Sequence, residues 1–284
     1  MLNELPFQQE QLNFLTGLAE QRTDFLNPIF VFLNYFDTIY FAAFLVPLVW
    51  FGFSYRGGVK LTYIFLVSGI VNCSLKYFFG LPRPTVAIPE IGIFLFKSPG
   101  FPSGGAQTAF LLGSILISRY KNLPITILGV FYILLISFSR LYLGVHYPID
   151  ILGGWIAGSL IFLSFLATEK PIEQWLSNRT NTFPYYVIGI SLLLIFFIPI
   201  YPLIGTVLAI NIGFVIALKY HLYSQSPKLF WKKLLKGVGA GATTLLFGFL
   251  ASRIAPAYIV PILLGFWVSL GIPLLIFNRD RHKH

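Results

Sequence analysis

The residues of this chain best equipped for chemistry lie between Ser139 and Asp150, in Ser-Arg-Leu-Tyr-Leu-Gly-Val-His-Tyr-Pro-Ile-Asp. His146 has a carboxylate, Asp150, four residues on, just past a proline suited to opening a helix. An imidazole oriented by a carboxylate has the parts of a nucleophile or base. Arg140 adds a fixed positive charge, and the combination points to phosphate chemistry. Of the four histidines, His146 alone is away from a basic loop or the C-terminal tail.

Two further segments fit the same chemistry. Lys76 is followed seven residues later by Arg83 in Leu81-Pro82-Arg83-Pro84. Taken alone, the lysine can snorkel to lipid headgroups and the arginine can hold a turn. In Phe101-Pro102-Ser103-Gly104-Gly105-Ala106-Gln107, Ser103 suits a helix N-cap, and the same helix start offers backbone N–H groups to an anion. Arg140 can likewise pair with headgroups, His146 can be a loop residue, and Asp150 can simply favour a helix N-terminus. Ionisable residues at membrane depth are expensive, however, and three cations, a helix N-terminus and a His–Asp pair on one face argue for a phosphate site.

The elements that must position these residues are transmembrane helices. The 284 residues are 56% hydrophobic and only 11% charged, with mean hydropathy +0.78. That composition predicts an all-α, polytopic bundle with no room for a soluble domain. The formal charge of +10 lies in short segments between apolar runs, which fits orientation by positive charge rather than nucleic-acid binding. The single cysteine, Cys73, excludes an intramolecular disulfide. Residues 1–21 read as no signal peptide; Leu12, Phe14, Leu15 and Leu18 predict an interfacial amphipathic helix.

Apolarity predicts nine spans: Tyr40–Phe53 with an onset as early as Ile29, Leu61–Phe79, Gly105–Arg119, Ile125–Leu143, Ile149–Thr168, two short helices turning at Pro199 and Pro202, Gly237–Ala251 and Tyr258–Phe277. Lysines and arginines cluster after the first, third, fifth and seventh spans and in the tail, which predicts a cytoplasmic C-terminus. The Gly80–Gly104 and Gly144–Pro148 loops then share the non-cytoplasmic face. Gly154 with Gly158, and Gly237 with Gly241, predict close helix crossings within the bundle.

Lys76 to Pro84 fits Lys-x6-Arg-Pro, and Ser139 to Asp150 fits Ser-Arg-x5-His-x3-Asp. In these motifs the chain resembles the type 2 phosphatidic acid phosphatase (PAP2) family, over about Tyr40–Thr168. The resemblance implies a PAP2-like catalytic core at 40–168, preceded by an N-terminal region at 1–39 and followed by additional C-terminal transmembrane helices at 169–284. It implies that His146 attacks phosphorus to form a phosphohistidine, oriented by Asp150. Lys76, Arg83 and Arg140, with Ser103 and the Gly104 backbone, would hold the phosphoryl oxygens. No metal or other cofactor is implied, and the partner is a membrane lipid phosphate or diphosphate.

The family's Pro-Ser-Gly-His signature is matched at Pro102, Ser103 and Gly104 and broken at Gly105. That histidine protonates the departing oxygen in the family, and its loss forfeits about 10²–10⁴-fold in rate. A diphosphate suffers least, because its leaving phosphate monoester ionises near pH ~6. The expectation is therefore a lipid phosphatase or phosphotransferase favouring polyprenyl diphosphate, with Glu90, Lys97, Tyr142 and Tyr147 as other proton sources. A histidine restored at Gly105 should open activity on phosphatidic acid. The alternative is a catalytically silent lipid-phosphate binder or transporter.

Overall fold

A computed structural model describes residues 6–177, 201–222 and 228–281, with isolated positions between 182 and 192; among them every regular element is helical. The expected all-α bundle is what the chain forms. The helices are α1 (Pro6–Glu20), α2 (Leu26–Asn34), α3 (Ile39–Pro47), α4 (Tyr55–Phe79), α5 (Pro84–Ala87), α6 (Gly104–Tyr120), α7 (Leu123–Tyr142), α8 (Pro148–Ser177), α9 (Tyr201–Lys219), α10 (Phe230–Ile254), α11 (Val260–Phe266) and α12 (Ile272–Arg281).

Five described helices are long and apolar enough to cross a membrane, and a sixth span results if Leu26–Asp37 and Ile39–Phe53 count as one. The chain is thus a multi-pass membrane protein. The nine expected spans are reduced for physical reasons. The first is broken at Thr38; the third, α6, has 17 residues where a span needs about 20; Val260–Ile276, in the ninth, is short as well. The expected sixth span and the three-residue end of the tail, 282–284, lie outside the described residues.

The chain forms two compact units, Met1–Thr38 with Val67–Ala167 and Ile39–Leu66 with Thr168–His284. In the first, two helix starts are brought together. Ser103, extended at φ −69° and ψ 117°, caps α6 by accepting a hydrogen bond from Ala106 N. Lys121 ends that helix in the left-handed region, and Asn122 caps α7 through Ile125 N at 3.0 Å.

Helix α8 crosses α6 closely. A Cβ at Gly154 would lie 2.6 Å from Ser103 O, and one at Gly158 2.8 Å from Gln107 O. These glycines let the first turn of α8 reach the first turn of α6, where Ser103 N donates to Asp150 O at 2.9 Å. Helix α1 forms as expected, but Leu12 and Leu15 are buried by protein, packed with Ile91 and Tyr147, rather than facing lipid. Its Gln11 accepts a hydrogen bond from Ile149 N, one of the donors a helix start leaves unpaired.

The second unit has a core of Val46, Trp50, Phe51, Ala240, Val268 and Ile272. Gly237 and Gly241 make its close crossing, since Cβ atoms there would lie 2.6 Å from Leu48 O and from a Phe44 ring carbon.

Candidate active site

The 80–104 loop and the turn between α7 and α8 form one buried polar cluster in the first unit. Gly144 makes that turn possible, with φ +70° and no room for a Cβ against Ile91 O. Arg22 fastens the same place, donating to Tyr142 O at 2.8 Å and to Ile91 O at 2.6 Å.

Within it, His146 Nδ1 lies 3.1 Å from Asp150 Oδ2, and Nε2 lies 3.2 Å from Arg83 Nη1. A guanidinium can only donate, so Nε2 must accept and Nδ1–H must be the donor to Asp150. This arrangement favours the neutral tautomer with its lone pair on Nε2. Asp150 Oδ2 is itself held by Tyr147 N at 2.9 Å. His146 is 3% exposed, and burial together with the positive charges of Arg83, Lys76 and Arg140 keeps its pKa well below the ordinary value. The lowered pKa favours the unprotonated imidazole.

The cations are clamped by the loops. Arg83 donates to Ser98 O, Ser98 Oγ and Val145 O at 2.8–3.0 Å, with Phe96 beneath the guanidinium. Lys76, in the last turn of α4, reaches Pro99 O at 2.7 Å and Gly100 O at 3.0 Å. Arg140 is 1% exposed; its Nε and Nη2 donate to Ser139 Oγ, and Nη1 donates to Asn34 Oδ1 at 2.7 Å and Asp37 Oδ2 at 3.0 Å. Lys76, Arg83 and Arg140 all act electrostatically on His146. The Gly104 backbone lies beside Asn72, which donates to Pro102 O and to Gln107 Oε1, while Gln107 donates onward to Ser68.

Sequence reasoning assigned nothing to Asp37, Asn34, Asn72, Ser98 or Gln107. Asp37 was the legible one, an ionisable residue within an apolar run. It changes the reading of Gly105: a Cβ there would sit 2.7 Å from Asp37 Cγ and 2.8 Å from Oδ2. The space of a residue-105 side chain is already filled by a carboxylate, so Gly105→His alone cannot simply restore a family-like site. Of the other proton sources considered, Glu90 and Lys97 are exposed, Tyr147 packs with Leu12 and Ile91, and Tyr142 donates to Asn27 Oδ1.

Residues 57–172 match the family model described as PAP2 superfamily. Undecaprenyl-diphosphatase BcrC of Bacillus subtilis is 30% identical over 151 residues, covering 49% of this chain and 74% of the relative. Undecaprenyl-diphosphatase of Sulfolobus acidocaldarius is 29% identical over 161 residues, covering 53% of this chain and 77% of the relative. The crystal structure of a transmembrane PAP2 type phosphatidylglycerolphosphate phosphatase from Bacillus subtilis superposes with TM-score 0.50 at 21% identity, covering 60% of this chain and 90% of that one, a likeness of fold.

Proposed function

This chain belongs to the PAP2 superfamily, and from that premise we propose that it is a membrane lipid phosphatase working through a phosphorylated His146. It is a phosphoric ester hydrolase, and its substrates are lipid phosphates or diphosphates. The observation that carries the reading is the Nε2 lone pair, presented beside Arg83 and fixed from behind by Asp150. A phosphoryl group arriving at Arg83 takes the place of that Nε2 contact and meets the lone pair directly.

The steps follow from the groups present. Nε2 forms a bond to phosphorus as the bond to the leaving oxygen breaks, and Asp150 stabilises the charge that develops on the imidazole. Arg83, Arg140 and Lys76, with Ser103 and the Gly104 backbone at the start of α6, neutralise the equatorial oxygens of the transferring group. Water then attacks phosphorus, releasing phosphate and His146. His146, Asp150, Lys76, Arg83, Ser103, Gly104 and Arg140 all lie within 40–168, and 169–284 holds none of them.

A diphosphate is the favoured substrate, because its leaving group departs without a proton. The names of the two diphosphatase relatives support the same preference. By the distribution of lysine and arginine, the site opens on the non-cytoplasmic face and the C-terminus is cytoplasmic. The test is phosphate release by purified protein in detergent from a polyprenyl diphosphate and from phosphatidic acid. The expected result is faster release from the diphosphate, abolished by His146→Ala. Lipid-phosphate binding without any turnover would instead favour the silent binder.

A further inference from the structure

Resting on the phosphatase reading, we propose that Asp37 is the acid–base residue of this enzyme, filling with a carboxylate the place that Gly105 leaves open. The Asp37 carboxylate lies where a side chain on Gly105 would be, with Oδ2 2.8 Å from the position of the missing Cβ. The small residue at the start of α6 and the acid just beyond α2 are one matched pair.

Local structure aims the carboxylate inward. A single 3₁₀ turn, Tyr35–Asp37, follows α2 and stops at Thr38, whose Oγ1 donates to Tyr35 O at 2.6 Å. Asp37 thus sits at a chain break facing Arg140 rather than on a helix flank. Its side chain is 24% exposed while that of Arg140 is 2% exposed, so the acid has an open side. Arg140, Lys76 and Arg83 act electrostatically on Asp37, and the same three act on His146. Nucleophile and carboxylate therefore share one set of cations.

Asp37 is the anion that pairs with buried Arg140, but the guanidinium is held by other acceptors as well. Asn34 accepts from the same Nη1 at a shorter distance, and Ser139 accepts from Nε and Nη2. A phosphate brought to Arg140 would lie near its Asp37 partner, and two neighbouring anions favour a shared proton. The bound state therefore carries, from solvent or from the phosphate itself, the proton that the chemistry needs.

The steps balance. As Nε2 bonds to phosphorus and the bond to the leaving oxygen breaks, the Asp37 proton passes to that oxygen, giving an alcohol and a carboxylate. In the second step a water oxygen bonds to phosphorus, the N–P bond breaks, and the water proton returns to Asp37. Simple lipid phosphate monoesters come within reach, because their alkoxide no longer has to leave bare.

The experiment measures Asp37→Asn against the parent with phosphatidic acid and a polyprenyl diphosphate as probes. The expected result is a fall in kcat/KM of about 10²–10⁴-fold on phosphatidic acid and of less than about tenfold on the diphosphate. The diphosphate should then show a burst of one product per enzyme followed by a slow phase, as phosphohistidine accumulates without its base. A second variant, Asp37→Ala with Gly105→His, moves the acid to the other side of the contact and should turn over phosphatidic acid faster than Asp37→Ala alone. Equal losses on both probes, no loss on either, a parent idle on phosphatidic acid alone, or an exchange variant no better than Asp37→Ala would overturn the proposal. A parent that turns over neither probe and takes no label on His146 would instead sink the phosphatase reading beneath it.

Discussion

The two compact units bury different kinds of polar group. In the second, the buried polar residues among those described are Thr62, Asn211, Thr244 and Ser269, all neutral. Each bonds a carbonyl four residues back, Gly58, Val207, Ala240 or Gly265, and Asn211 also accepts from Tyr63 Oη. In the first unit the buried set includes Arg83, Arg140, His146 and Asp150, and their partners lie in other loops and helices. Removing charge from water is costly, so a fold tolerates it only where each charge is paired and has work to do. The contrast separates a unit whose buried polar groups are neutral from one that buries charge.

The largest effect that sharpens this contrast is at the nucleophile. His146→Ala should lower phosphate release by about 10⁴-fold or more, since a covalent mechanism has no substitute for its attacking atom. Next comes Arg140→Lys, measured as kcat/KM on a diphosphate. A lysine cannot reproduce a fork that spans Ser139, Asn34 and Asp37, and the expected loss is about 10²–10³-fold.

Smaller, but with a definite sign, is a pH effect. His146 is held below its ordinary pKa partly by neighbouring cations, so the acid limb of kcat/KM belongs below pH ~6.5 in the parent. Lys76→Gln removes one of those cations and raises the His146 pKa, which moves the acid limb to higher pH. A limb that stays in place in this variant would mean that another group sets it.

The smallest effect belongs to the other unit. Thr244→Val removes a hydroxyl that bonds one turn back along α10, and should cost no more than about 1 kcal/mol of stability in a denaturation measurement. Phosphate release should be unchanged. A large loss of activity from this buried position would break the division between the units.

That the motif residues come together was legible because spacing constrains which of them can meet. His146 and Asp150 can meet across Tyr147-Pro148-Ile149 because Pro148 opens α8 and puts the carboxylate in its first turn. Ser103 was recognisable as a cap for the same kind of reason. The place of Asp37 beside Gly105 was hidden because it depends on a contact across 68 residues, and no local pattern records which distant side chain fills the space of a missing one. The burial of Leu12 and Leu15 was equally hidden: an apolar helix face reads the same whether lipid or the Ile91–Tyr147 cluster covers it. The early onset of the first span at Ile29 fails for a similar reason, since apolarity does not reveal where a helix breaks, as at Thr38.

The most direct test of the account is a chemical one, applied to the protein during turnover. A polyprenyl diphosphate labelled in its terminal phosphate is mixed with the purified protein, and the reaction is stopped in base within milliseconds to seconds. The account predicts a base-stable, acid-labile label on the protein, borne by the peptide that contains His146 and absent from His146→Ala. Undiminished label in that variant, or brisk phosphate release with no label at any time, would contradict it.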